Sequence, residues 1–113
     1  MRIGIVGASG AVGVEIIKIL EERKFEVSSL SLFGSRRSAG RYLSFKRRKI
    51  RIKELREESL KNFDLIFFSA GSNISKRFAH IAASNGAIVI DNSSAFRMDP
   101  EVPLIVPEIN SKD

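Results

Sequence analysis

The chain has 113 residues, with 19 Lys and Arg against 13 Asp and Glu, so its formal net charge is +6. This length predicts one domain with one hydrophobic core. The sequence contains no cysteine and a single histidine, His80, which excludes a disulfide framework and a thiolate metal site and argues against a histidine metal site. No apolar run reaches the roughly 20 residues of a membrane span, and the start of the chain does not resemble a signal peptide. We therefore expect a cytoplasmic protein.

The first predicted elements are a buried strand, a glycine-rich turn and an amphipathic helix. The strand covers Arg2–Val6, a short β-branched run typical of a strand buried on both faces. The turn has the spacing Gly-x-x-Gly-x-x-Gly, and the helix runs to Glu22. This order opens a dinucleotide-binding fold, in which the helix N-terminus binds a pyrophosphate; the alternative is a turn whose glycines serve packing alone. The glycines are Gly7, Gly10 and Gly13, and the predicted apolar face of the helix is Val12, Ile16, Ile19 and Leu20.

The loop after the second predicted strand indicates which dinucleotide is bound. This strand covers Val27–Phe33 and ends at the loop Gly34–Gly40. In such folds an acidic residue here binds the ribose 2′-hydroxyl of NAD, whereas arginine accommodates the 2′-phosphate of NADP. No Asp or Glu occurs from Leu30 to Ile52, and guanidinium and hydroxyl groups suit a phosphate. NADP is the expected cofactor, with an ordinary polar loop as the alternative. The candidate residues are Ser35, Arg36, Arg37 and Ser38.

The middle of the chain predicts a hairpin and then a third buried strand. Arg41–Ile52 alternates in part and predicts a hairpin or two short strands. Leu55–Phe63 is a polar connector with room for a short helix. Asp64–Phe68 is an apolar run typical of a buried strand, and a second turn of small residues, Ser69–Ser72, follows it.

A second helix and a further strand follow. Ser72 or Asn73 is the predicted N-cap of this helix, which runs to about Asn85 and is closed by Gly86. Its predicted apolar face is Ile74, Phe78, Ile81 and Ala82. Ala87–Ile90 then predicts a buried strand that ends at Asp91, and Val102–Pro107 predicts a further extended segment.

These elements predict an α/β fold with a Rossmann-like, doubly wound, mostly parallel sheet and helices on both faces. Ligands of such sheets bind beyond the carboxyl ends of the strands. Three strand ends therefore converge on one edge, at Gly7–Gly13, Ser69–Ser72 and Asp91–Arg97. Arg97 is a candidate anchor for a phosphate or carboxylate, and the alternative is an ion pair of Arg97 with Asp99 or Asp91. Asn92 can orient a ligand or cap loop carbonyls.

A run of basic residues in the predicted hairpin region allows a different interpretation. Such a run can mark a nucleic-acid-binding surface. The favoured interpretation is a solvated basic hairpin, because no aromatic stacking platform or known nucleic-acid motif accompanies it. The basic residues are Arg36, Arg37, Arg41, Lys46, Arg47, Arg48, Lys49, Arg51 and Lys53.

Five stretches of the sequence together resemble the aspartate-semialdehyde dehydrogenase family over essentially the whole chain. They are Gly7–Gly13, Ser35–Gly40, Phe68–Gly71, Asp91–Met98 and Val106–Asn110, reading GASGAVG, SRRSAG, FSAG, DNSSAFRM and VPEIN.

The resemblance implies NADPH-dependent reduction of L-aspartyl 4-phosphate to aspartate semialdehyde with release of phosphate, on the way to lysine, methionine and threonine. It implies that the turn and helix start bind the cofactor pyrophosphate, that the arginine loop reaches the 2′-phosphate, and that the second small-residue turn lies against the cofactor. Asn92 and Arg97 would bind the substrate phosphate. The implied cofactor-binding set is Gly7, Ser9, Gly10, Ala11, Val12, Gly13, Ser35, Arg36, Arg37, Ser38, Ala70 and Gly71.

The sequence departs from the family in one respect, since the family's nucleophile is a cysteine and this chain has none. We therefore expect residues 1–113 to be an N-terminal NADP-binding domain, without the catalytic and dimerisation domain, that binds cofactor without turnover and self-associates as a homo-oligomer. Two alternatives remain: a domain like that of N-acetyl-γ-glutamyl-phosphate reductase, and a non-catalytic NADP-sensing module.

Overall fold

The computed structural model describes residues 1–23 and 26–91, which form six strands and two α-helices. The strands and helices are β1 (Arg2–Val6), α1 (Ala11–Glu22), β2 (Ser29–Gly34), β3 (Tyr42–Phe45), β4 (Arg48–Glu54), β5 (Leu65–Phe68), α2 (Ser72–Ser84) and β6 (Ile88–Asp91), with one 3-10 turn at Glu57–Leu60 between β4 and β5.

The strands form one sheet in the order β3-β4-β2-β1-β5-β6. All neighbouring pairs are parallel except β3 and β4, which form an antiparallel hairpin. β1 lies at the centre, where Ile3 is in register with Leu30 of β2 on one side and Leu65 of β5 on the other. The chain therefore winds outward from β1 in both directions, and the predicted doubly wound, mostly parallel α/β fold is confirmed.

The alternation of side chains along β1 explains why a helix covers each face of the sheet. Ile3 and Ile5 point to the face where Ile17 and Leu20 of α1 pack, whereas Val6 points to the face where Phe78 of α2 packs. All six side chains are buried. The one core expected from the chain length is thus divided by the sheet into two apolar clusters, because β1 is buried on both faces.

The buried face of α1 differs from the prediction. Gly13, Ile17 and Leu20 are its buried residues, at the spacing i, i+4, i+7, whereas Ile19 is 42% exposed. The prediction was wrong at Ile19 because hydrophobicity alone does not fix the rotation of the helix. Gly13 fixes it, since its Cα side packs against the backbone of Ala8.

The start of α2 also differs from the prediction, although its end does not. The N-cap is Gly71, with φ of +106°, and no side chain caps the helix, so the predicted cap at Ser72 or Asn73 is wrong. The glycine makes the turn in a conformation that serine and asparagine adopt at a cost. At the other end Asn85 is the C-cap and Gly86 has φ of +92°, as predicted.

The hairpin predicted in Arg41–Ile52 is confirmed, and its turn is unusual. Lys46 and Arg47 form the two-residue turn with φ of 49° and 69°, although neither is a glycine. The backbone N–H of Lys46 donates a hydrogen bond to Glu21 Oε2 at 2.7 Å. This bond joins the end of α1 to the hairpin.

A charged pair fixes the amino-terminal edge of the sheet. Asp64, just before β5, accepts hydrogen bonds from the backbone N–H and the guanidinium of Arg2, the former at 2.7 Å. Hydrogen bonds from Arg2 lower the pKa of the Asp64 carboxyl below its ordinary value.

Within the described residues, neither helix has the length and apolar character needed to cross a membrane.

Candidate nucleotide-binding cleft

An open cleft of about 680 Å³ lies at the carboxyl ends of the central strands. Its walls come from the turn after β1, the loop after β2, the end of β4 and the first half of α2. The lining residues are Val6, Gly7, Ser9, Gly34, Ser35, Arg36, Ser38, Glu54, Leu55, Arg56, Glu57, Glu58, Ala70, Ile74, Arg77 and Phe78.

The turn after β1 forms the floor of the cleft and is held from two sides. Gly7 has φ of +86°, and its N–H donates to the carbonyl of Phe33 at 2.8 Å. The Ser69 hydroxyl donates to the carbonyl of Val6 at 3.0 Å. A Cβ on Gly7 would lie 2.8 Å from the carbonyl carbon of Ser69. The close approach of the two turns therefore requires glycine at this position.

The other two glycines of the turn have different roles. A Cβ on Gly13 would overlap the carbonyl oxygen of Gly7 and lie 2.7 Å from the Cα of Ala8, so Gly13 serves the packing of α1 against the turn. Gly10 is exposed, and a Cβ there would make only an ordinary contact at 3.5 Å. Gly10 is the N-cap of α1 in an extended conformation. Gly7 and Gly13 therefore serve packing, as the alternative interpretation of the turn predicts. The start of the helix beside Ser9 and Gly10 stays open to a ligand.

The N-terminus of α1 supplies backbone donors next to the cleft. The N–H of Val14 bonds the carbonyl of Gly10, which is the first bond of the helix. The N–H groups of the residues before Val14 in the first turn, at Ala11, Val12 and Gly13, have no acceptor within an α-helix. With the helix dipole they favour an anion at this end.

The loop after β2 is folded on itself by two serines. The N–H groups of Ser38 and Ala39 donate to the carbonyl of Ser35, and the buried Ser38 hydroxyl donates to the same carbonyl at 3.3 Å. The Ser38 hydroxyl also packs against the Cα of Gly34. This turn leaves Arg36 exposed in the wall of the cleft.

The structure brings together only part of the predicted cofactor set. Around the cleft lie Gly7, Ser9, Ser35, Arg36, Ser38 and Ala70. The others in the described chain are neighbours of these residues but do not line the cleft: Gly10, Ala11, Val12, Gly13, Arg37 and Gly71. The predicted substrate-phosphate residues, Asn92 and Arg97, lie outside the described residues.

Sequence reasoning missed one wall of the cleft, which follows β4. Glu54, the last residue of β4, is in register with Gly34 at the end of β2. The rule that the carboxyl ends of parallel strands share an edge could have found this wall, but only if β4 had been recognised as a parallel neighbour of β2. Glu54 places a carboxylate near the predicted phosphate loop, and Arg56 pairs with this carboxylate at 3.8 Å.

Sequence reasoning also missed one residue of α2. Arg77 lines the cleft, and its guanidinium carbon lies 4.9 Å from the centroid of the Phe78 ring. Nothing in the sequence marks Arg77, because its position depends on which face α2 turns to the sheet.

Within residues 1–23 and 26–91, no cluster of His, Cys, Asp and Glu could hold a metal ion.

The cleft lies where the strand order reverses around β1, which is the ligand site of doubly wound sheets. The fold and the site together define a Rossmann-like nucleotide-binding domain.

Comparison with known proteins narrows this class. Residues 2–113 match the family model described as semialdehyde dehydrogenase, NAD binding domain, and the chain belongs to this family. The aspartate-semialdehyde dehydrogenases of Aquifex aeolicus and Bacillus subtilis are 51% and 46% identical to it over 113 residues, covering 99% and 100% of this chain. The chain spans about a third of the length of these relatives, 33% of each.

A solved structure agrees with the sequence matches. The crystal structure of aspartate semialdehyde dehydrogenase II from Vibrio cholerae, described as complexed with ASA, superposes with a TM-score of 0.82. It is 40% identical, and the match covers 98% of this chain and 36% of that one. The family resemblance predicted from the glycine turn and the later motifs is therefore confirmed.

Proposed function

We propose that this chain is the cofactor-binding domain of an oxidoreductase that reduces L-aspartyl 4-phosphate to aspartate 4-semialdehyde with release of phosphate, using NADPH. The cleft at the centre of the sheet carries this proposal, because it has an open helix start at one side and a guanidinium at the other. The names of the relatives support the reaction. The substrate, the pathway to lysine, methionine and threonine, the cytoplasmic location and the homo-oligomer are parts of this proposal.

The residues around the cleft fit a dinucleotide. The N–H groups at the start of α1, next to the exposed Ser9, suit the pyrophosphate. Ala70 follows β5 on the far side of Gly7 and offers a small surface against which a flat ring can lie. When bound, the nicotinamide group would supply a hydride. The role of this chain is to hold and orient that group.

The preference for NADP depends on the balance of charge in the loop after β2. Arg36 lines the cleft and makes no ion pair with any carboxylate of residues 1–23 and 26–91. Glu54, which could favour the ribose hydroxyl of NAD, is paired with Arg56. A guanidinium without a carboxylate partner favours the 2′-phosphate. Arg37, which the family resemblance assigns to this phosphate, stays a candidate beside Arg36.

Side-by-side calorimetric titration of the chain with NADP and NAD tests the cofactor proposal. We expect NADP to bind more tightly, and we expect the double substitution Arg36→Ala with Arg37→Ala to weaken NADP binding by at least about tenfold, the loss expected for charge-assisted hydrogen bonds. NAD binding should change little.

The matched control for this experiment is Arg48→Ala with Lys49→Ala, which removes the same charge from the hairpin away from the cleft. If the two double variants weaken NADP binding equally, the effect is one of net charge and the assignment of the loop is wrong. If the unaltered chain binds neither dinucleotide, the proposed function itself fails.

The proposed role in catalysis is limited to binding. The chain contains no cysteine, whereas the predicted chemistry of the family uses a cysteine nucleophile. Asn92 and Arg97 are proposed to bind the phosphate of the substrate. The nearest described residue, Asp91, is buried at the end of β6 and accepts a hydrogen bond from the Ser75 hydroxyl at 3.1 Å, which fixes the point from which that segment departs.

A further inference from the structure

The guanidinium of Arg77 lies in the cleft but has no role in the proposed function. Arg77 lies in the second turn of α2, is exposed, and lines the cleft opposite the loop after β2. It makes no ion pair with a carboxylate in the described parts of the chain. An arginine without a carboxylate partner in a nucleotide-sized cleft is available to an anionic ligand.

The position of Arg77 is held by its neighbour. Phe78 is 4% exposed and belongs to the apolar cluster between α2 and the sheet. The Arg77 guanidinium lies over this ring at 4.9 Å. Because a guanidinium stacked on an aromatic face keeps its N–H groups at the edge, the donors remain free for a ligand in the cleft.

The charges of the cleft indicate where an anion would bind. Arg36 and Arg77 line the same cleft, one from the loop after β2 and one from α2, which follows β5 on the other side of β1. Three carboxylates also line the cleft: Glu54 is paired with Arg56, and Glu57 and Glu58 lie in the 3-10 turn that follows β4. A phosphate dianion bound in the cleft can accept hydrogen bonds from more than one guanidinium group.

We infer that Arg77 is a specificity-determining residue that binds the 2′-phosphate of NADP together with Arg36. The inference rests on the proposed function and adds a second wall to its phosphate site. A contact of Arg77 with the 2′-phosphate can be distinguished from a contact with the adenine ring, because adenine is common to both dinucleotides. A phosphate contact strengthens the binding of NADP alone, whereas stacking on adenine strengthens NADP and NAD equally.

Titration of Arg77→Ala with NADP and NAD tests the inference. We expect the dissociation constant for NADP to rise about tenfold or more, as for the loss of a charge-assisted hydrogen bond, with that for NAD within about twofold of the unaltered chain. Arg77→Lys should recover part of the affinity, since lysine keeps the charge but not the fork of donors. Lys76→Ala is the matched control, because Lys76 is the exposed neighbour on α2 and does not line the cleft.

Each other outcome contradicts the inference in a recognisable way. An unchanged NADP affinity in a folded Arg77→Ala variant, checked by its thermal unfolding, removes Arg77 from the site and leaves the proposed function standing. Equal weakening of NADP and NAD assigns Arg77 to a part that both dinucleotides share, such as the adenine ring or the pyrophosphate. Equal weakening by Arg77→Ala and Lys76→Ala assigns the effect to net charge. Failure of the unaltered chain to bind either dinucleotide overturns the proposed function and this inference with it.

Discussion

Two glycines of one turn, three residues apart, are constrained differently, and substitution separates their roles. Gly13→Ala would drive a methyl group into the carbonyl of Gly7 and the Cα of Ala8. Because both obstacles are backbone, α1 must move away from the turn, and we expect a loss of about 1–3 kcal/mol in the free energy of unfolding. Urea unfolding followed by circular dichroism measures this change.

Gly10→Ala is the control, because its Cβ would meet only the Gly7 oxygen at 3.5 Å. At this N-cap, with an extended backbone, alanine in place of glycine should cost only a few tenths of a kcal/mol to about 1 kcal/mol. Equal losses for the two substitutions would show that the contact at Gly13 is not what orients α1.

At the level of single residues, the sequence predicts the kind of site better than the side chains that form it. The arginines after β2 were found because a phosphate needs guanidinium donors in that loop. Which of Arg36 and Arg37 faces the cleft depends on the turn that Ser35 and Ser38 close, and this turn follows from hydrogen bonds that a residue pattern does not show. Arg77 could not be found, because its placement depends on the rotation of α2.

The β3–β4 hairpin is an element whose turn can be improved. Lys46 and Arg47 both have positive φ, which costs an L-residue other than glycine or asparagine roughly 1 kcal/mol or more. Asn-Gly is the dipeptide that two-residue hairpins of this kind favour. We expect Lys46→Asn with Arg47→Gly to raise the free energy of unfolding by about 1 kcal/mol in a urea titration, although it removes the contact between Lys46 and the Phe45 ring.

Lys46→Ala with Arg47→Ala provides the comparison for this turn. It removes the same two side chains and charges but keeps two residues that disfavour positive φ. The hydrogen bond from the backbone of residue 46 to Glu21 is available in both variants. If the alanine variant is stabilised as much as the Asn-Gly variant, relief of charge repulsion and not of backbone strain explains the effect.

Most elements could be predicted from the sequence because their signals are local. β1, β5 and β6 are short apolar runs, and the Gly86 signal ends α2 where it was expected. The elements that differ depend on contacts between distant parts of the chain. β4 pairs in parallel with β2, with Glu54 in register with Gly34, and the rotation of α1 depends on the contact of Gly13 with the turn after β1. Both features appear only when the sheet is assembled.

Over the whole molecule, the net charge of +6 is concentrated on the hairpin at one edge of the sheet. Alternation along β4 places Lys49, Arg51 and Lys53 on one face, and Arg51 is in register with Tyr42, which is 58% exposed. An aromatic ring among cations is thus present, although the sequence did not predict one. A single tyrosine gives only one stacking position, so we still expect a solvated hairpin and no specific nucleic-acid site.

Fluorescence anisotropy with a labelled single-stranded oligonucleotide, at 50 and 200 mM salt, distinguishes the two interpretations. Contacts to phosphates alone should give weak binding, with a dissociation constant of about 10⁻⁶–10⁻⁴ M, that falls steeply as salt rises. Lys49→Glu with Arg51→Glu should abolish this binding and leave NADP affinity within about twofold, because neither residue lines the cleft. Submicromolar binding at 200 mM salt that Tyr42→Ala removes and NADP does not displace would instead make the hairpin a nucleic-acid-binding surface.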